Sequence, residues 1–346
     1  VLAVAQSGDH LVCSANVYGG TVTQFGVTLK RMGIETSFVG AHDFAGIAAA
    51  IQPNTKMLFA ETIGNPSGTI ADIAKLAQTA HDAGIPLCID NTFASPYLCR
   101  PIEHGADLVL HSATKFICGH GTVIGGVLVE SGKFPWGNGR FPLLSEPSPG
   151  YHQLQFTETF GEFAFLLRAR AEVLRDVGAS LGAMDAWLLL QGLETLPIRM
   201  AAHVTNAVAV AKFLQQRPEV EWVSYPGFAD HPDLALSNKY LPDGAGSVFT
   251  FGIRGGREAG RRFIDALELW SHLANVGDAK SLVIHPASTT HSQLTDEEMR
   301  VAGVAPETIR LSVGLEDVSD LLWDLDNALQ RVTPGAALRQ ALGDSK

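Results

Sequence analysis

Apolar residues in this chain fall into short unbroken runs that alternate with stretches of helical spacing, and that alternation sets the fold class. Six runs predict strands at 10–14, 36–39, 57–61, 86–90, 107–111 and 126–129. Between them, apolar positions three and four apart predict helices at 21–32, 44–50 and 70–83. Strands that are hydrophobic at successive rather than alternate positions have both faces covered. The sheet of this α/β chain should therefore be mostly parallel, with ligands at the C-terminal ends of its strands. A Pro/Gly-rich connection at 133–150 interrupts the winding and reads as a mobile loop over the site. The spacing predicts further helices at 162–175, 181–190 and 196–216. Beyond Val220 the texture changes to short strand patterns at 222–225, 247–252, 281–284 and 310–313, separated by helices. These predict a smaller α+β domain, so the expected division is a large domain of residues 1–218 and a small one of residues 219–346.

Composition narrows the classes of function. With 346 residues, 46% of them hydrophobic, the chain can bury a sizeable core. Its 25 basic against 36 acidic side chains give a net charge of -11, which disfavours a phosphate backbone, so nucleic acid is not an expected partner. Cys13, Cys88, Cys99 and Cys118 form no C-x-x-C pair, as expected of reduced, buried thiols in a cytoplasmic protein. No apolar stretch reaches the roughly 18 residues of a membrane helix, and no charged leader with a cleavage site is present, so a membrane is not expected either. The opening Val1-Leu2-Ala3-Val4-Ala5 reads as the tail of a helix with no Met and no cap before it, so a segment upstream is expected.

The candidate chemistry lies at the expected strand ends. Lys115 closes the run His111-Ser112-Ala113-Thr114-Lys115, and Asp90 is the acidic end of Pro86-Leu87-Cys88-Ile89-Asp90. A lysine at the mouth of a sheet can form an imine with an aldehyde cofactor, and an aspartate on a nearby strand end can keep a pyridine nitrogen protonated. Together they suggest pyridoxal 5'-phosphate (PLP). Ser112 and Thr114 offer two hydroxyls to a phosphate, although a surface turn would have the same composition. Tyr18 can stack on a ring, with Gly19 and Gly20 admitting close backbone approach, or it is an aromatic before a turn. Asn65 can point at a ring oxygen or serve the turn Asn65-Pro66-Ser67-Gly68. Arg310 can clamp a carboxylate bidentately or pair with Glu316 or Asp317. A dinucleotide site is disfavoured because Gly119-His120-Gly121-Thr122-Val123-Ile124 lacks the final glycine. His285 and His291 lack the spacing of a zinc hydrolase, and no metal is expected.

Tyr18, Glu61, Asn65, Asp90, Ser112, Thr114, Lys115, Ser281 and Arg310 stand in the order and approximate spacing of one family. On the stretches N-V-Y-G-G-T (16–21), I-D-N-T-F-A-S-P-Y (89–97), H-S-A-T-K-F-I-C-G-H-G (111–121), H-P-A-S-T-T-H-S-Q (285–293) and R-L-S-V-G-L-E (310–316), the chain resembles the Cys/Met-metabolism family of fold-type I PLP-dependent enzymes. The resemblance runs from residue 1 to about 332. It implies an aspartate aminotransferase-like fold, with Lys115 holding PLP as a Schiff base and later moving protons. Asp90 would pair with the ring nitrogen, and Ser112 and Thr114 would bind phosphate. Tyr18 would stack on the ring and assist proton transfer, with Asn65 near the ring oxygen. Arg310 would bind the substrate carboxylate and Ser281 would line the substrate pocket.

Within the family, Gly277-Asp278-Ala279-Lys280-Ser281-Leu282, the 133–152 insertion and Leu189 to Leu196 resemble the O-acetylhomoserine sulfhydrylases. That implies γ-replacement of acetate on O-acetyl-L-homoserine by sulfide or methanethiol, giving homocysteine or methionine. O-succinylhomoserine sulfhydrylase, cystathionine γ-synthase and methionine γ-lyase are the alternatives, the last weakened because its usual cysteine is replaced by Gly20. The family also implies a homotetramer built as a dimer of dimers. Its glycine-containing phosphate loop, and a tyrosine and an arginine that reach the neighbouring subunit's phosphate, would lie before Val1. The reading from a different class is accordingly a fragment that retains only oligomerisation.

Overall fold

The computed structural model describes residues 1–289 and 305–332, so His291 and the end of the 285–293 motif lie outside the described residues. The chain divides into two compact units. One comprises Val1–Asn65, Thr69–Ala113 and Ile124–Leu188, the other Pro66–Gly68, Thr114–Val123 and Leu189–Lys346.

The first unit is built on a six-stranded sheet of β1 (His10–Ser14), β2 (Glu35–Val39), β3 (Thr55–Glu61), β4 (Leu87–Asp90), β5 (Leu108–Ser112) and β6 (Gly126–Glu130), in the order β2-β1-β3-β4-β5-β6. The first five strands are parallel and β6 runs antiparallel to β5. Every residue of β1 and β3 is buried, as the unbroken apolar runs require of strands covered on both faces. The helix Phe44–Ala50 forms where its spacing predicts, and Asp43 Oδ1 accepts the Gly46 N–H at 2.8 Å to cap it. The expected 70–83 helix starts later, at Ile73, because Ile70 is drawn into a bridge with Ile63. It buries Ile73, Leu76, Ala77 and Ala80, one face of the helix. The expected 21–32 and 162–175 helices each contain a π-helical stretch, Gln24–Thr28 and Ala169–Leu174.

The expectation of a mobile loop over the site at 133–150 is corrected. Phe134, Trp136, Phe141 and Leu144 are buried, with Trp136 stacked on Phe165 at 5.0 Å between ring centroids. Arg140 donates to the carbonyls of Gln52, Pro53 and Thr55, and the Lys56 ammonium donates to the Arg140 carbonyl at 2.6 Å. The segment is therefore packed at the N-terminal end of β3, away from the strand ends that carry Glu61 and Asp90. Aromatic residues every few positions supply burial that the Pro and Gly content conceals.

The second unit holds a five-stranded sheet of β7 (Val220–Ser224), β8 (Val248–Ile253), β9 (Ser271–His272), β10 (Leu282–Ile284) and β11 (Thr308–Ser312), in the order β7-β8-β11-β10-β9. All neighbours are antiparallel except β9 and β10. Its core joins Phe249, Phe251, Ile309 and Leu311 of the sheet to Phe263 and Leu325 of the helices Gly256–Ala266 and Val318–Val332. The long helix Leu196–Gln215 contributes Ala207, Val210, Ala211 and Leu214 to the same core. The expected division at 218/219 thus falls inside this unit, just after that helix. Among the described residues, no helix is long and apolar enough to cross a membrane.

Candidate active site

In the first unit, β1 is flanked by β2 on one side and β3 on the other, so the chain reverses its winding there, and open α/β sheets bind ligands at the strand carboxyl ends beside such a reversal. Tyr18 follows β1 and stands at the N-terminus of the short helix Gly19–Thr23, with 59% of its surface exposed. Gly20 leaves room for the tyrosine ring where it stands, since a Cβ at that position would lie 2.3 Å from it and the ring would have to shift. Glu61, the last residue of β3, is buried, and its Oε1 accepts the Tyr18 backbone N–H at 2.7 Å. The Asn65 backbone N–H donates to the same carboxylate. Glu61 also lies in register with Asp90 on β4. Burial, and then the charge of Asp90, push the Glu61 carboxyl well above the usual carboxylate range despite those two donors.

Asp90 Oδ1 accepts both the Thr92 hydroxyl at 2.5 Å and the Thr92 N–H at 2.9 Å. The Thr92 hydroxyl in turn accepts the Ser112 N–H at 2.8 Å, which ties the end of β5 to the aspartate. Burial raises the Asp90 pKa, and the Thr92 donors oppose that shift. Oδ2 has no donor among the described residues. A carboxylate held rigidly by one oxygen and open at the other fits a protonated ring nitrogen.

In the second unit, Lys115 Nζ donates to Asn275 Oδ1, and Arg310 Nη2 donates to the Asn275 carbonyl at 3.4 Å. Burial, and then the nearby Arg310 charge, lower the Lys115 pKa, favouring the neutral and nucleophilic amine. Gly277 holds a positive φ of 73° beside this turn, and a Cβ there would lie 2.7 Å from the Phe116 nitrogen. Thr114 is half-buried. Ser281 is fully buried: its hydroxyl donates to Glu316 Oε2 at 2.8 Å and accepts the Gly314 N–H at 2.8 Å. The other Glu316 oxygen accepts the Ser281 N–H, while Asp317 Oδ1 accepts both donors of Ser319.

Each unit accordingly gathers part of the expected set, Tyr18, Asn65, Asp90 and Ser112 around Glu61 and Thr92, and Lys115 with Arg310 around Asn275. Thr92, Asn275 and Arg199, whose guanidinium donates to the Phe116 carbonyl at 2.7 Å, were missed by sequence reasoning. The D-N-T step after β4 is a turn signal that could have found Thr92. Asn275 sits in a loop with no such signal.

The model of the family described as Cys/Met metabolism PLP-dependent enzyme matches residues 1–330. Homocysteine synthase of Schizosaccharomyces pombe is 52% identical over 330 residues, covering 94% of this chain and 77% of the relative. O-acetyl-L-homoserine sulfhydrylase 1 of Thermus thermophilus is 51% identical over 328 residues, covering 94% and 78%. Among solved structures, an O-acetylhomoserine (thiol)-lyase of Campylobacter jejuni with N'-pyridoxyl-lysine-5'-monophosphate is similar at a TM-score of 0.91 and 41% identity, over 95% of this chain and 79% of that one. With its parallel sheet, its second antiparallel sheet and these relatives, the chain belongs to the Cys/Met-metabolism family of PLP-dependent enzymes and has their fold-type I architecture.

Proposed function

We propose that the chain catalyses γ-replacement on O-acetyl-L-homoserine: the Cγ–O bond breaks with release of acetate, and a Cγ–S bond forms to hydrosulfide or methanethiol. Homocysteine or methionine is the product. The names of the relatives at 52% and 51% identity support the substrate class. PLP, when bound, supplies an electron sink for the charge left at the substrate Cα.

The residues of the chain do the rest. Asp90 would hold the ring nitrogen protonated through its open Oδ2, and Ser112 and Thr114 would take the phosphate. Tyr18 would stack on the ring and assist proton transfer, with Asn65 near the ring oxygen. Arg310 would bind the substrate carboxylate, which orients Cα–H toward Lys115, and the lysine amine would take the α-proton and later return it. Ser281 enters as the residue that fixes the turn beside this pocket, since its hydroxyl is already shared between Glu316 and Gly314.

We place this activity in the cytoplasm, a reading supported by four free, buried cysteines. We also infer a homo-oligomer, a dimer of dimers, supported by the exposure of Met184, Trp187, Leu190 and Ile198.

The single observation that carries the functional reading is Lys115, a half-buried amine of lowered basicity at the end of the H-S-A-T-K run. Its test is the visible absorption of the chain with added PLP, repeated on Lys115→Ala. A band present in the first protein and lost in the second, with acetate released from O-acetylhomoserine only in the presence of sulfide, is the expected result. A band that survives Lys115→Ala would sink the assignment.

A further inference from the structure

We infer that Arg199, His203 and Asn206 are positioning residues that fix the Lys115 turn relative to the strand carrying Arg310; this rests on the reading that those two residues act on one substrate. The helix Leu196–Gln215 buries Leu196, Arg199, Met200, His203, Ala207, Val210, Ala211 and Leu214, a single face at steps of three and four. Two members of that apolar face are polar, and half-buried Asn206 adjoins them. All three reach backbone carbonyls in segments that bear site residues.

Arg199 is 6% exposed. It donates through Nη1 to the Phe116 carbonyl at 2.7 Å and through Nη2 to the Ile117 carbonyl at 3.1 Å. It also donates to the Gly192 carbonyl at 2.7 Å and, through Nε, to the Thr195 hydroxyl at 3.1 Å. His203 is fully buried, and its Nδ1 donates to the Val313 carbonyl at 2.7 Å while its ring meets Phe116 edge-on at 5.3 Å. Asn206 Nδ2 donates to the Gly314 and Glu316 carbonyls at 3.1 and 2.9 Å. The first rung thus grips the two residues after the lysine, and the last grips the turn after β11. The middle rung touches both.

The helix between the rungs is stiff, so positions 199 and 206 lie about 10 Å apart along its axis at a rise of about 1.5 Å per residue. Space has been cleared for the first rung. A Cβ at Gly119 would lie 2.1 Å from Arg199 Nη1, and one at Gly192 would lie 2.3 Å from the Ile117 carbonyl oxygen. Apolar side chains would pack this helix equally well, whereas a buried guanidinium carries a desolvation penalty. Here that cation is directed at the carbonyls that follow the lysine.

The holoprotein carrying Arg199→Lys, which keeps the cation but loses the fork, tests one end of the stripe. Asn206→Ala tests the other. Arg199→Lys is expected to move the pH midpoint of the visible PLP band and to weaken PLP retention about tenfold, the scale of losing one hydrogen bond to a charged group. Asn206→Ala is expected to raise KM for O-acetylhomoserine about fivefold, the scale of one neutral hydrogen bond, with kcat and the band midpoint unmoved. Should Arg199→Lys fail to fold, Thr195→Val, which removes the acceptor at Nε together with the hydroxyl's bond to the Gly192 carbonyl, is expected to move the midpoint the same way by less. A lowered Tm with midpoint, PLP retention, KM and kcat per folded site all at wild-type values overturns the inference alone. Survival of the band in Lys115→Ala overturns both it and the functional reading.

Discussion

Glu61 and Asp90 lie side by side at the ends of β3 and β4, and both carboxyls are pushed up by burial. A carboxyl whose folded pKa exceeds its unfolded value contributes stability that is fully present below the unfolded value, 4.5 for Glu61, and is lost as pH rises through the folded one. Glu61→Gln keeps an oxygen for the Tyr18 N–H and has no proton to lose. In the cofactor-free chain, its Tm should therefore exceed that of the wild type increasingly as pH rises above 4.5, with little difference below it. Equal Tm values across that range would contradict the raised pKa. The lysine provides a complementary case. Arg310 lowers the Lys115 pKa after burial does, so Arg310→Gln should raise it toward the ordinary 10.5. The pH dependence of Lys115 acetylation in the cofactor-free chain, followed by mass spectrometry, reads this directly. An unmoved midpoint would remove Arg310 from the surroundings of the amine.

At the scale of elements, the Pro/Gly-rich 133–150 segment is held by Trp136, which is 2% exposed and stacked on Phe165. Trp136→Ala should cost about 3–5 kcal/mol of unfolding free energy, the range for removing a large aromatic from a core, as measured by urea titration. A cost below about 1 kcal/mol, the level of a surface substitution, would restore the loop reading. This segment also shows where sequence reasoning fails. Strands were legible because parallel strands covered on both faces leave unbroken apolar runs, and β1, β3 and β4 end on or beside the residues that flagged the chemistry. Asp90 was legible because it closes such a run, and Lys115 because it stands three residues beyond the end of another, β5. Arg199 and His203 were not, since polar residues within an apolar helical face carry no sign of what they grip. Asn275 was equally hidden, because its contacts with Lys115 and Arg310 depend on residues far away in sequence.

The whole molecule carries a net charge of -11, and the phosphate of PLP is also an anion. Long-range repulsion should slow their encounter, so the rate of PLP capture should rise as salt shortens the screening length from about 30 Å at 0.01 M to about 8 Å at 0.15 M. Stopped-flow absorbance checks this, and a rate that falls with salt would show that local positive potential governs the approach. Hydrosulfide, the proposed nucleophile, is also a reductant that attacks disulfides and oxidised thiols. The four cysteines of this chain are free and buried, so the fold offers such a reagent no disulfide to cleave and keeps each thiol behind packed side chains. The architecture is thereby chemically indifferent to the co-substrate it is proposed to use.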